Sequence, residues 1–220
     1  MIIFTSRLSL KVKKVFVTYF FLLQMLVACG DRKGGVQSDE WTFAPPAGVA
    51  LDTVAIDAMD VENPFVCYVR EDDCYYLTGD GGYVWVSDDL RSWTGPYDVL
   101  CQDTASWIGA EPVITSPEIH RHNGKYYYMA TFERPDVVVA DADGRPFARR
   151  SCVALVADDI RGPYRTIDSG SSLLVESEMA AHPTFGVDYN NVGYMIYTHQ
   201  GEQNGNGTVQ IFRFSDDFGS

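Results

Sequence analysis

The sequence predicts an all-β chain built from a repeated unit of four short antiparallel strands, the arrangement of a β-propeller. Short runs rich in Val, Tyr, Phe and Thr, such as "NPFVCYV", "YVWVS", "KYYYMATF", "CVALVA" and "GYMIYTH", are broken by Gly, Asp and Asn turns, the signature of strands and their connections. Helical periodicity is nearly absent from the chain that follows its N-terminal segment. Most telling is a repeated order of signals: Pro64, Pro117 and Pro183 are each followed eleven residues later by a tyrosine, Tyr75, Tyr128 and Tyr194. Downstream of each tyrosine, a further strand ends in an aspartate doublet: Asp88 and Asp89, Asp158 and Asp159, Asp216 and Asp217. Units of this kind cannot cover their own sheet faces, so they stack radially around a channel as blades.

At the N-terminus, Arg7, Lys11, Lys13 and Lys14 precede the uncharged run "VFVTYFFLLQMLVA", which ends at Cys29 and Gly30. A basic start and a short apolar stretch make a signal peptide, favoured over a truncated anchor helix. The residues "LVAC" resemble a bacterial lipobox, which implies lipid on Cys29 and an exported lipoprotein held at a bacterial membrane, the outer membrane being the expected one. Residues 1–28 are then the signal, 29–45 a flexible tether, and 46–220 a partial propeller. Its blades run over about 55–110, 111–178 and, incompletely, 179–220.

Removing residues 1–28 takes four basic residues and no acidic ones, so the formal charge moves from −13 to −17. A surface so acidic repels phosphate backbones, which excludes nucleic acid as a partner. Cys67, Cys74, Cys101 and Cys152 remain, which allow three alternative pairings in an oxidising compartment. Cys67 and Cys74 flank "YVREDD" as a hairpin bridge would, and four reduced core thiols are an equally good reading.

Within each blade the innermost strand lines the channel. A proline at its start removes a backbone donor only where the ladder has not begun. Asn63, Glu118 and His182 are therefore expected to meet at the channel mouth.

The segments "NPFVCYVREDDCYYLTGDGGYVWVSDDLRSWTGP", "SPEIHRHNGKYYYMA" with "DDIRGPY", and "HPTFGVDYNNVGYMIYTHQGEQNGNGTVQIFRFSDDF" resemble glycoside hydrolase family 43. In that pattern an Asp-Pro-Phe strand, a tyrosine strand, Ser-x-Asp-Leu before Trp, Trp-Ala-Pro-Glu or -Asp, Asn-Gly-Lys-Tyr-Tyr and Gly-Pro-Tyr follow one another. The resemblance runs from about residue 60 to the end and implies a five-bladed propeller that cuts arabinose- or xylose-containing polysaccharide, usually with inversion. It implies no cofactor and no metal ligands, though a channel-bound cation such as calcium is compatible with it.

Such chemistry needs one protonated and one ionised carboxyl flanking the glycosidic bond. The resemblance places the family's base at Asn63, its pKa modulator at His182 and the glutamate of His-Glu-Trp at Gln200. An amide takes no proton from water, so Asn63 is expected to hydrogen-bond a sugar hydroxyl. Glu118 keeps its carboxylate, at a position more often found in the substrate shell. Asp60 or Glu62 would substitute for the base only after a shift of the loop, and His182 only through its own titration. His199 is expected in the channel or buried with a partner. Trp93, Trp107 and Tyr128 are candidate sugar-stacking faces, with blade-packing core the alternative for both tryptophans and the better reading for Trp93.

Five blades need roughly 300 residues at the repeat length seen here. The chain therefore reads as about three blades, poorly soluble by itself because sheet faces stay open. Two functions follow: an exported glycosidase, or a carbohydrate-binding lipoprotein without turnover. A non-functional remnant is the third.

Overall fold

The computed structural model describes residues 42–101, 106–141, 143–167, 179–199 and 207–214. The signal segment, Cys29 and Gln200 lie outside them. The described residues form three antiparallel sheets, one for each repeat.

The first sheet is the meander β2 (Phe65–Val69), β3 (Cys74–Thr78), β4 (Val84–Ser87) and β5 (Ser92–Tyr97). A strand outside the repeat, β1 (Asp52–Ala55), is added at its outer edge against β5. The second sheet holds β6 (Val113–His122), β7 (Lys125–Ala140), β8 (Pro146–Ala157) and the short β9 (Arg165–Thr166). The third holds β10 (Ala180–Val187), β11 (Gly193–His199) and β12 (Thr208–Arg213). The strands behind the three prolines, β2, β6 and β10, lie side by side, with β6 between the other two.

The tyrosine strand β7 reads as an unbroken apolar run because both its faces are covered. Along β7 successive side chains point to opposite faces. Tyr126, Tyr128, Ala130 and Phe132 enter one core with Val84 and Val99 of the first unit and Tyr164 of the second. Tyr127 and Met129 enter a second core with Ala180, Met195 and Tyr197 of the third sheet.

The first two acidic doublets are turn chemistry; the third, Asp216 and Asp217, lies outside the described residues. Asp89 Oδ1 accepts the N–H groups of Arg91 and Ser92 at 2.7 and 2.8 Å, and Asp159 Oδ1 accepts that of Arg161 at 2.8 Å, as Asx turns do. Behind the second doublet, Tyr164 is fully buried and its backbone exchanges hydrogen bonds with Val99 and Cys101. Its Gly-Pro-Tyr segment thus ties the second sheet to the end of the first.

Three expectations change. Pro117 does not open its strand: β6 begins at Val113, and the proline sits in a bulge between Thr115 and Glu118. Pro183 sits in the same kind of bulge, between Ala181 and Thr184. The missing N–H is tolerated because a bulge leaves a residue unpaired. The end of the expected tether is docked, with the Phe43 ring stacked 3.9 Å from that of Tyr97 and Ala44 bridged to Asp98. Cys67 and Cys74 are free thiols. Cys67 faces Tyr76 and Cys74 faces Val69, a diagonal spacing too wide for a disulfide. Burial pushes the Cys67 thiol up to about 12.

Candidate functional site

The residue before each proline adopts a left-handed backbone: φ is 49° at Asn63, 51° at Ser116 and 54° at His182. Proline disfavours the right-handed helical region for its predecessor. Three non-glycine residues held in the left-handed region cost roughly 1–3 kcal/mol each, the kind of local strain found at binding sites. The structural equivalents across the three blades are therefore Asn63, Ser116 and His182, and Glu118 stands two residues further along β6.

A hydrogen-bonded chain joins these residues across the mouth. Asn63 Nδ2 donates to both oxygens of Asp80, at 3.1 and 3.0 Å. The Ser116 N–H donates to Asp80 Oδ1 at 2.8 Å. Ser116 Oγ lies 3.2 Å from His182 Nδ1, and the His182 N–H donates to Thr131 Oγ1 at 2.8 Å. Asp80 comes from the turn after β3, where its own N–H reaches the Glu62 carbonyl. Glu62 and Asp60 are exposed, and neither side chain joins the chain of hydrogen bonds.

Further along the inner strands, Glu118 Oε2 lies 2.7 Å from His120 Nε2 and accepts a 2.8 Å hydrogen bond from Thr184 Oγ1 of the third sheet. Glu118 Oε1 has no protein partner among the described residues. The His120 ring sits between Phe65 of β2 and Phe185 of β10, at centroid distances of 4.9 and 5.4 Å. Residues of all three inner strands thus meet around His120: Phe65 of β2, Glu118 of β6, and Thr184 and Phe185 of β10. Beside the mouth the β7–β8 hairpin continues past the level of Val113, which pairs with Glu133, to the turn at Asp141.

The stacking candidates fare differently. Tyr128 is fully buried between the first two sheets, so it offers no face to a sugar and is corrected to a core residue. Trp93 is core, as expected. Trp107 is half-buried, with the Arg149 guanidinium 5.3 Å from its ring centroid and its carbonyl accepting a 3.0 Å hydrogen bond from Arg134. The Arg149 guanidinium thus lies over one face of the ring. His199 ends β11 opposite Ala180 and is half-buried. Among the described residues no group of three or more His, Cys, Asp or Glu side chains is gathered as metal ligands.

Asp80 is the site residue that the sequence reading missed. Its signal is the segment "TGDGGY", which occurs in the first unit alone. A search for repeats passes over a residue with no counterpart in the other units.

Inner strands of successive antiparallel sheets around an open polar mouth define a β-propeller of the glycosidase type. The chain belongs to the glycosyl hydrolases family 43, whose family model matches residues 54–220. Among solved structures it is similar to an endo-arabinase from Bacteroides thetaiotaomicron, with TM-score 0.60 and 18% identity over 74% of this chain and 54% of that one. A thermostable family-43 glycoside hydrolase matches with TM-score 0.51 and 18% identity over 81% and 53%. An endo-1,4-beta-xylanase from Bacteroides thetaiotaomicron matches with TM-score 0.50 and 15% identity over 71% and 48%. The chain spans about half the length of these proteins. Comparison with curated protein sequences gives no match.

Proposed function

We propose that the chain is an exported family 43 protein that engages arabinose- or xylose-containing polysaccharide at the propeller mouth, with its catalytic carboxylates largely replaced. The observation that carries this is the pairing of Asn63 with Asp80. A carboxylate accepts only, so the amide nitrogen must face it, and Asn63 Oδ1 is left as a neutral acceptor without a protein partner among the described residues. A sugar hydroxyl suits that acceptor, and a water awaiting deprotonation does not. Similarity in fold to an arabinase and a xylanase supports the class of glycan.

Turnover is the second reading, favoured by Glu118, whose carboxylate is retained beside His120. Titration of the purified chain with arabino- and xylo-oligosaccharides, beside hydrolysis of aryl arabinofuranoside and aryl xyloside, separates the two. Saturable binding without release of the aryl group supports the first. Hydrolysis that Glu118→Gln abolishes replaces it with the second, and neither binding nor hydrolysis removes both.

The lipobox-like "LVAC" supports anchoring through Cys29. Membrane fractionation of Cys29→Ser in a bacterial host tests it: the anchored wild type and a released variant are expected, and a wild type found free of the membrane overturns it.

A further inference from the structure

Resting on the sugar-binding reading above, we propose that Asp80 is the positioning residue of the mouth: it holds Asn63 with Oδ1 turned outward as a hydroxyl acceptor, and only while position 63 is an amide.

The turn that carries Asp80 is packed too closely to relax. A Cβ added at Gly79 would lie 2.1 Å from Val61 Cγ1 and 3.0 Å from the Glu62 carbonyl oxygen, and one at Gly82 would lie 2.8 Å from Ile114 Cδ1. The Asp80 N–H is bound to Glu62 and the Gly81 N–H to Ile114, so the turn is pinned to the segment leading into β2 and to the start of β6 at Ile114. The carboxylate cannot retreat from position 63, and the Ser116 N–H fixes its Oδ1 from the second sheet. Asn63 is exposed, with φ of 49°, and it is the side-chain amide that Asp80 contacts.

The family pattern implies an acid at position 63. Here the amide stands at 63 and the acid stands beside it at 80, about one hydrogen bond away. Restoring the acid at 63 alone puts two carboxylates some 3.0 Å apart across the same contact, where like charges hold one proton between them. Asn63→Asp therefore creates a coupled dyad and not a free base. Exchanging both residues, Asn63→Asp with Asp80→Asn, restores one donor facing one acceptor.

The test is a cycle on the full chain: wild type, Asn63→Asp, Asp80→Asn and the double exchange. Each is titrated with arabino- and xylo-oligosaccharides at pH 5 and pH 8, and each is unfolded by denaturant across the same range. At pH 8, Asn63→Asp loses about tenfold in affinity, equivalent to about 1.4 kcal/mol, and recovers at pH 5 where the shared proton reforms the hydrogen bond. Asp80→Asn loses less, about threefold, because an amide pair allows Asn63 either orientation. The double exchange returns to within about twofold of wild type, a strongly non-additive result.

A carboxyl held protonated by its neighbour in the fold contributes stability below its unfolded pKa that is lost as pH rises. Asn63→Asp is thus expected to lose stability between pH 5 and pH 8 more steeply than the double exchange. Single effects that simply add in the double variant, or an Asn63→Asp affinity that does not change with pH, overturn the proposal. Should the wild type bind none of these sugars, the functional reading fails alone. The unfolding arm then decides Asp80, and equal pH profiles for Asn63→Asp and the double exchange overturn it.

Discussion

Tyr128 ends in a buried hydroxyl with no hydrogen-bond partner among the described residues, and such a group costs free energy where a paired one would contribute it. Tyr128→Phe is therefore expected to leave sugar affinity unchanged and to hold or raise the unfolding free energy, by up to about 1 kcal/mol, in a denaturant titration. A loss of affinity would return Tyr128 to the site. Thr78 is the opposite case. It is buried, and its Oγ1 donates at 2.6 Å to the carbonyl of Pro117 in the β6 bulge. Thr78→Val keeps the shape and strands that carbonyl, so the same titration is expected to show a loss of about 1–3 kcal/mol. At this scale the sequence located what repeats. Asn63 and His182 were readable because each precedes a proline of the series. The place of Glu118 two residues beyond the true equivalent, Ser116, was not, because a bulge moves the register without marking the sequence. Asp80 was hidden for want of a counterpart. Tyr128 was misassigned because a tyrosine that stacks on sugar and one that fills a core have the same letter, and only the face of β7 on which it falls tells them apart.

The connections between strands carry as much specificity as the strands. Backbone donors at Ser92 and Arg91 hold the Asp89 carboxyl below its usual range. A carboxyl lowered in the fold contributes stability above its unfolded pKa, and that stability is lost as pH falls through the folded value. Asp89→Ala is accordingly expected to lower the thermal midpoint at pH 7 and to converge on wild type under strongly acidic conditions. A gap that persists in acid would assign the effect to backbone propensity alone. In the second unit Gly162 has φ of +84°, and an added Cβ would meet the Val99 carbonyl at 2.5 Å. Gly162→Ala is expected to cost about 1–3 kcal/mol through backbone conformation, with the clash against Val99 in addition, and to loosen the tie between the first two sheets. Hydrogen exchange at Tyr164 and Cys101, whose N–H groups make that tie, reads it directly. Strand identity was legible from the tyrosine runs and acidic doublets because periodicity and Asx turns are local. The bulges, the added β1 and the long β7–β8 hairpin were not, because register and edge pairing depend on what lies opposite in space.

On the scale of the molecule, each sheet needs a neighbour on both faces, and the third sheet has one described on a single side. The face of β10, β11 and β12 that carries Phe185, Met195, Tyr197 and Phe212 packs toward the second sheet. By alternation the other face carries Ile196, Val209 and Ile211, which the register sets together in pairs: Ile196 with Ile211, and Thr198 with Val209. Val209 is 70% exposed and Ile211 is 65% exposed. Adjacent β-branched side chains of this kind at the outermost strand of the described sheet template association with another chain. Net charge opposes association, but 0.1 M salt screens exposed charges separated by more than about 10 Å, which weakens that repulsion and leaves the apolar face to decide. The chain is expected to self-associate with rising concentration, more strongly in salt, when followed by sedimentation velocity. Replacing Val209 and Ile211 with Lys puts charge on that strand without touching the mouth or the two cores. The double variant is expected to remain monomeric at concentrations where the wild type associates, while keeping its sugar affinity. If it associates equally, the contact lies elsewhere on the surface and the third sheet's outer face is not the source.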